Sequence, residues 1–325
     1  MNVTKSVDLK YFDPAKLHAG KQRRANLDAG YVFTDNIVLA VNVSLATHRP
    51  LLVTGNPGTG KSMLAEHVAA LLDWKFYKYV VTSRTRARDL MWRFDAIRRL
   101  AAAQESAHTK DALKPLAAYV EPSVLWWAFN PASAGTRGAQ EGGNVPSAED
   151  PSPTAGSTSS VVLIDEIDKA EPDVPNDLLE ALDRERFTVE ELSPSVSIHG
   201  KKENVMLVIT SNRERDLPGA FMRRCVALHL EPPTKDQLVR IAQCHFPGMS
   251  TDFQGKLAER ILELQRAATQ RMTRPPGTAE YLDLLRACHE LGVTQDSPQW
   301  LSLERLLLLK TTGSSTPRAD LGSNT

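Results

Sequence analysis

The chain has 325 residues, 42% hydrophobic and 24% charged, enough for one large core and a smaller second one. Lys plus Arg and Asp plus Glu both number 39, so the formal charge is zero. This excludes a global pull toward nucleic acid or a membrane surface and leaves only local patches.

Three cysteines, Cys225, Cys244 and Cys288, are too few and too widely spaced for a zinc site or a disulfide framework, and read as small core residues in a reducing compartment. No apolar run reaches the roughly 18 residues of a bilayer-spanning helix. The first 30 residues carry Lys, Asp and Arg instead of a signal-type apolar core, so the expectation is a cytoplasmic protein.

In chain order, residues 1–30 are polar, and the first regular element expected is a helix over Asp35–Thr47 with Ile37, Val38, Val41 and Leu45 on one face. The apolar run Leu51-Leu52-Val53 then meets Gly55-Asn56-Pro57-Gly58-Thr59-Gly60-Lys61-Ser62, and a helix-like stretch from Met63 to Leu72 follows. Strand, glycine loop and helix in that order form a P-loop. Backbone N–H groups can close around phosphate oxygens only where the chain turns tightly, and the helix N-terminus adds positive potential. Lys61 supplies a point charge for the β- and γ-phosphates, and Ser62 a hydroxyl for Mg2+.

Phe76–Val81 reads as a strand, followed by a helix-like stretch reaching Ala107. Six arginines fall between Arg84 and Arg99: either a grip for an anionic partner, or the solvated face of a helix whose Leu90, Phe94, Ile97 and Leu100 turn inward. Tyr119–Phe129, with Trp126 and Trp127, reads as a core helix or a recognition surface. Residues 130–160 are rich in Gly, Pro, Ser, Thr and Ala and read as a disordered insertion, because they lack the apolar surface that offsets the entropy of ordering.

Val161-Val162-Leu163-Ile164 followed by Asp165-Glu166 reads as a buried parallel strand ending in a Walker B pair. Asp165 can hold Mg2+ and Glu166 can polarise water at the sheet edge where ligands of α/β folds bind. A helix over Asp173–Arg184, a hairpin spanning Phe187–Ile198, a strand Val205–Thr210 ending at Ser211-Asn212, a short helix ending in Arg223-Arg224 and a strand Cys225–Leu230 complete the layer. From Pro232 onward strands vanish. A capping box at Thr234–Gln237, periodic runs over Phe253–Ala268 and Thr278–Leu291, and a start at Ser297-Pro298 predict four helices.

The P-loop, the Walker B pair, the polar Asn212 and the basic helix end, followed by a helical region, make the chain resemble the AAA+ ATPases. Arg49–Ser62, Asp89–Ala96, Leu178–Leu182 and Leu217–Arg224 make it similar to the MoxR group within them. The resemblance implies a P-loop NTPase fold of the α/β class, a three-layer parallel-sheet domain over residues 31–232, with a C-terminal all-helical lid over 233–310 and a flexible tail over 311–325. It implies ATP and Mg2+ as cofactors, with Asn212 as sensor 1 acting with Glu166, and Arg224 as the arginine finger, for which adjacent Arg223 is the alternative. It further implies a homo-oligomeric, hexameric ring that remodels a protein partner, one bearing a von Willebrand factor A domain. The sensor 2 arginine usual in the third lid helix is replaced here by Thr278-Ala279-Glu280-Tyr281, which leaves Arg274 as a substitute for contact with the phosphates. Two rival readings are a nucleic-acid motor using the Arg84–Arg99 cluster and a nucleotide-switch scaffold. Neutral charge weighs against the first, and intact Glu166 and Asn212 against the second.

Overall fold

The computed structural model describes residues 10–19, 31–109, 113–139, 145, 147–152, 157–192, 194–270, 275–294 and 297–308. The chain divides into two compact units, Met1–Pro232 and Pro233–Thr325.

The first unit contains α1 (Pro14–Ala19), α2 (Asp35–Thr47), β1 (Leu51–Gly55), α3 (Lys61–Leu72), β2 (Lys75–Val80), β3 (Trp92–Phe94), α4 (Ala96–Thr109), β4 (Val120–Pro122), α5 (Val124–Phe129) and α6 (Pro131–Gly135). It continues with β5 (Ser160–Asp165), α7 (Asp173–Arg184), β6 (Arg186–Val189), β7 (Val196–His199), β8 (Val205–Ser211), α8 (Gly219–Arg224) and β9 (Val226–Leu230). Five strands form a parallel sheet in the order β2-β5-β8-β1-β9. Alternation along β5 sends Val161 and Leu163 to one face and Val162 and Ile164 to the other, so both faces need cover. On one face α2 and α3 pack through Ile37, Val41, Leu64 and Val68. On the other, α5, α7 and α8 pack through Trp126, Leu178 and Phe221. This is the three-layer α/β arrangement expected.

Residues 10–19 are more ordered than their polarity suggests. Phe12 is fully buried, and the Asn42 side chain on α2 accepts from the backbone N–H groups of Tyr11 and Phe12 and donates to Phe12 O at 2.7 Å. One buried amide thus satisfies a chain crossing. Among the described residues the first regular element is therefore α1, not α2.

Residues 84–109 do not form one amphipathic helix. A short turn carries buried Leu90, then β3 pairs antiparallel with β4, and α4 follows with Ile97 84% and Leu100 62% exposed. Periodicity misassigned these two residues because the inward-facing work is done by α5, whose Leu125, Trp126 and Trp127 are buried. Trp126 and Trp127 are core residues and offer no contact surface.

The expectation of an unstructured 130–160 insertion is also corrected over its described part. Asn130 caps α6 by accepting from Ser133 N, and Ala148 N donates to Gly135 O at 2.8 Å. Asp150 accepts from Lys75 Nζ at 2.6 Å and from Tyr77 OH at 3.0 Å, while Ser152 Oγ accepts from Phe76 N. Polar side chains along the edge of β2 fasten this stretch where composition showed no apolar anchor. Residues 140–144, 146 and 153–156 lie outside the described residues.

The second unit holds α9 (Lys235–His245), α10 (Thr251–Gln270), α11 (Thr278–Leu291) and α12 (Trp300–Leu307) around Leu238, Leu257, Ile261, Tyr281 and Leu284. This helical portion is consistent with an AAA+ lid. The Thr234–Gln237 capping box forms as the sequence signals. Tyr281, at the position discussed for sensor 2, is fully buried with its hydroxyl donating to Gln254 O. Cys225 and Cys288 are buried, but Cys244 on α9 is exposed and corrects the reading of all three as core.

Trp126 has no exposed surface, its ring meets Phe187 edge-on, and its Nε1 donates to Ser133 Oγ. Trp126→Ala is expected to destabilise the protein by about 3–5 kcal/mol in urea unfolding. Ile97→Ser should stay within about 0.5 kcal/mol of wild type.

Candidate functional site

The turn from β1 into α3 is held open by backbone geometry that few side chains tolerate. Gly55 has φ 151°, and a Cβ there would lie 2.6 Å from the Leu230 carbonyl oxygen of neighbouring β9. Gly60 has φ 87° and carries the Tyr31 ring against it, where a Cβ would sit 3.2 Å from the ring. No side chain caps α3, so its first N–H groups remain available to an external acceptor.

Lys61 folds over the loop, with Nζ donating to Gly55 O and Asn56 O, both at 2.8 Å, and the residue is 7% exposed. Burial lowers its pKa, against the opposing pull of Asp165, Asp168 and Glu166. An ammonium held by two carbonyls inside a glycine loop, beside uncapped helix amides, fits a polyphosphate.

Ser62 and Asp165 lie 103 residues apart in sequence and meet at the site, Ser62 Oγ donating to Asp165 Oδ1 at 2.7 Å. The same oxygen accepts from Thr210 Oγ1 at 2.6 Å, and Oδ2 faces Lys78 Nζ at 3.2 Å. Burial alone would push the Asp165 carboxyl up. The hydroxyls of Thr210 and Ser62 and the ammonium of Lys78 reverse that and hold it below its ordinary value. Among the described residues no group of three or more His, Cys, Asp or Glu could form an all-protein metal cage. One carboxylate and one hydroxyl suit Mg2+, which keeps waters and takes further oxygens from phosphates.

Glu166 follows at φ 63°, ψ 50°, a left-handed conformation that costs a non-glycine residue about 1 kcal/mol or more. Its N–H donates to Thr210 Oγ1 at 2.9 Å, which holds the strained turn. Its Oε1 accepts from Asn212 Nδ2 at 3.1 Å, and its Oε2 accepts from Lys169 Nζ at 2.5 Å. Buried Asp168 accepts from the backbone N–H groups of Asn212 and Glu214, locking the turn that presents Asn212.

The structure thus brings Lys61, Ser62, Asp165, Glu166 and Asn212 to one end of the parallel sheet. It leaves Arg223 and Arg224 outside this network: Arg224 Nε donates to Asp183 Oδ2 at 2.8 Å on α7. Arg274 lies outside the described residues.

Sequence reasoning missed Thr210, Lys78, Asp168, Lys169 and Tyr31. Thr210 alone carried a signal, as a polar residue inside an otherwise apolar buried strand. The others become neighbours of the site only through pairing and turns.

Thr210→Val keeps the volume but removes a donor from Asp165 and an acceptor from the Glu166 N–H. Without Mg2+ it should destabilise by about 1–3 kcal/mol at pH 7 in chemical denaturation. A depressed carboxylate pKa stabilises the fold above its unfolded value, and that contribution is lost as pH falls through the folded value. The gap between Thr210→Val and wild type should therefore hold from about pH 7 to about pH 5 and narrow only below that, as pH falls past the ordinary carboxylate value.

Residues 50–225 match the family described as AAA domain, dynein-related subfamily. Among solved structures, a variant of Thermotoga maritima RuvB is similar at 15% identity and a TM-score of 0.43, with 83% of this chain and 67% of that chain covered. No curated protein matches. No helix among the described residues is long and apolar enough to cross a membrane. The matched span takes in more than half of the chain and contains the glycine loop, Asp165, Glu166, Asn212 and the α8 arginines, and the chain belongs to the AAA domain family, dynein-related subfamily.

Proposed function

We propose that this AAA domain protein hydrolyses ATP in the manner of the MoxR group, which its sequence resembles, as a homo-oligomeric ring that remodels a protein partner. The observation that carries the reading is the single hydrogen-bonded network joining Ser62, Asp165, Thr210, Glu166 and Asn212 beside the Lys61 loop.

In this reading Lys61 and the α3 amides bind the phosphates of ATP, and Ser62 and Asp165 hold Mg2+. Mg2+, when bound, supplies charge neutralisation for the transferred phosphoryl group. Glu166, aimed by Asn212 on one oxygen and Lys169 on the other, orients the attacking water. Arg224, with Arg223 beside it, stabilises developing charge on the nucleotide of a neighbouring subunit. Its ion pair with Asp183 is about half exposed on both sides, so the cost of exchanging that partner for a phosphate is small.

The protein-partner reading is favoured over a nucleic-acid motor by the fate of the arginine cluster. Arg88 pairs with Glu191, Arg93 lies over Tyr79, and Arg98 and Arg99 lie against Tyr119, with Arg98 also donating to Ala118 O. Four of the six arginines are engaged within the chain, which leaves too few for a phosphate-tracking groove. The resemblance to the MoxR group motivates a partner with a von Willebrand factor A domain, and the charged residues 1–30 motivate a cytoplasmic setting.

Lys61→Ala is expected to abolish ATP binding, whereas Glu166→Gln should bind ATP with near wild-type affinity and lose turnover by about a hundredfold or more. Equilibrium binding and phosphate release with labelled ATP separate the two; wild-type turnover in Glu166→Gln would refute the water-orienting role. Binding of single- or double-stranded DNA should be weak, and DNA should not raise the ATPase rate. Affinity falling by several powers of ten between about 50 and 200 mM salt, together with faster hydrolysis, would promote the motor reading instead.

A further inference from the structure

We infer that Arg49 is a positioning residue for the α8 arginines, acting from the short connection between α2 and β1, the strand that leads into the glycine loop. The inference rests on the reading that Arg223 or Arg224 works on a neighbouring subunit's nucleotide.

A helix of six residues ends with carbonyls that have no partner further along, because the chain turns at Cys225 directly into β9. Arg49 satisfies the last two of them, and the carbonyl of Cys225 just beyond the helix, with one guanidinium. Its Nε donates to Arg224 O at 3.1 Å, and its Nη2 donates to Arg223 O at 2.5 Å and Cys225 O at 2.9 Å. The planar fork of donors suits converging carbonyls in a way that a single ammonium does not.

Arg49 is itself anchored on both sides. Its carbonyl accepts from Ser44 Oγ on α2 at 2.7 Å, and the adjacent Pro50 carbonyl accepts from Val226 N at 2.8 Å, the first residue of β9. On the opposite side of α8, Arg224 Nε meets Asp183 and its Nη1 donates back to Ala220 O at 3.1 Å. The backbone of both candidate fingers is thus tied to Arg49, two residues before β1 and six before Gly55, so the phosphate loop and the α8 arginines of one subunit share a rigid base.

A cap serving stability alone would be met by a left-handed glycine or asparagine at the helix end. Here a third cation stands beside two arginine residues, where like charges repel, and it is tolerated because three carbonyl dipoles face it. That arrangement holds the α8 backbone in place without consuming either arginine side chain.

The test separates donor from acceptor function in mixed oligomers. Arg49→Ala subunits should bind ATP with wild-type affinity at their own loop and, alone, lose between about ten- and a hundredfold in turnover. Mixing them with Lys61→Ala subunits, whose α8 is intact, should restore part of the activity. Mixing them with Arg223→Ala/Arg224→Ala subunits should restore none. Arg49→Lys, which keeps the charge and guards against failure to fold, should stay impaired, since one ammonium cannot reproduce the fork. Wild-type turnover in Arg49→Ala, loss of its ATP affinity, or rescue by Arg223→Ala/Arg224→Ala subunits would overturn the inference. The control mixture of Arg223→Ala/Arg224→Ala with Lys61→Ala distinguishes the two claims: if it regains activity while Arg49→Ala is fully active, only the role of Arg49 falls. If the control regains none, the reading of α8 as a finger in trans falls, and the role of Arg49 with it.

Discussion

The carboxylate of Asp165 is the point on which the first unit's chemistry converges. It sits at the C-terminal end of β5, accepts from Ser62 on α3 and Thr210 on β8, and faces Lys78 on β2. A buried charge is tolerated only when hydrogen bonds and an opposite charge compensate for lost hydration. These partners supply that compensation, and in doing so they tie three sheet strands and the helix of the glycine loop to one another. Thr210 has a second duty. By accepting from the Glu166 N–H it supports the left-handed turn that swings Glu166 toward Asn212.

The same constraint explains why the glycine loop and the acidic pair work as a unit although about 100 residues separate them. β5 lies between β2 and β8, and β1 lies between β8 and β9, so the ends of β1, β5 and β8 form a shared rim. A parallel sheet covered on both faces leaves that rim as the place where polar groups can gather without disturbing the core. Asp168, buried at the start of the segment after β5, extends the arrangement by fixing the turn that follows β8.

Away from the rim, two excursions from the sheet hold each other. Glu191, in the turn between β6 and β7, accepts from Arg88 and from Trp92 Nε1, and Phe187 on β6 stacks on Trp92 and meets Trp126 and Phe129. A charged contact at the tip and an aromatic cluster at the base make the hairpin and the β3–β4 ribbon one body. The arginine cluster is therefore largely spent on internal contacts, which its density in the sequence does not reveal.

Much of this was legible beforehand, for definite reasons. The run Leu51–Val53 before a glycine loop, and Val161–Ile164 before two acids, are local signals: strand burial and turn chemistry are written in adjacent residues, so these strands and the identities of Lys61, Ser62, Asp165 and Glu166 could be read from spacing alone, while Asn212 entered only through the resemblance to the AAA+ ATPases. The helical end was equally readable, through the Thr234–Gln237 capping box and the period of Thr278–Leu291. What depended on the tertiary structure was pairing at a distance. Ile97 and Leu100 have helical spacing, yet α5 occupies the core position, so their apolar character faces solvent. Asp150 lies in a stretch of low-complexity composition, yet it meets Lys75 and Tyr77 across the edge of β2. Lys78, Thr210 and Arg49 gain their partners only when the sheet sets β2 beside β5, β8 beside β5, and β9 beside β1. A local pattern determines which element a segment forms, because backbone sterics and hydrophobic period act within a few residues. Which polar side chain meets which is decided by strand order and register, and these arise only when the whole sheet buries its two faces.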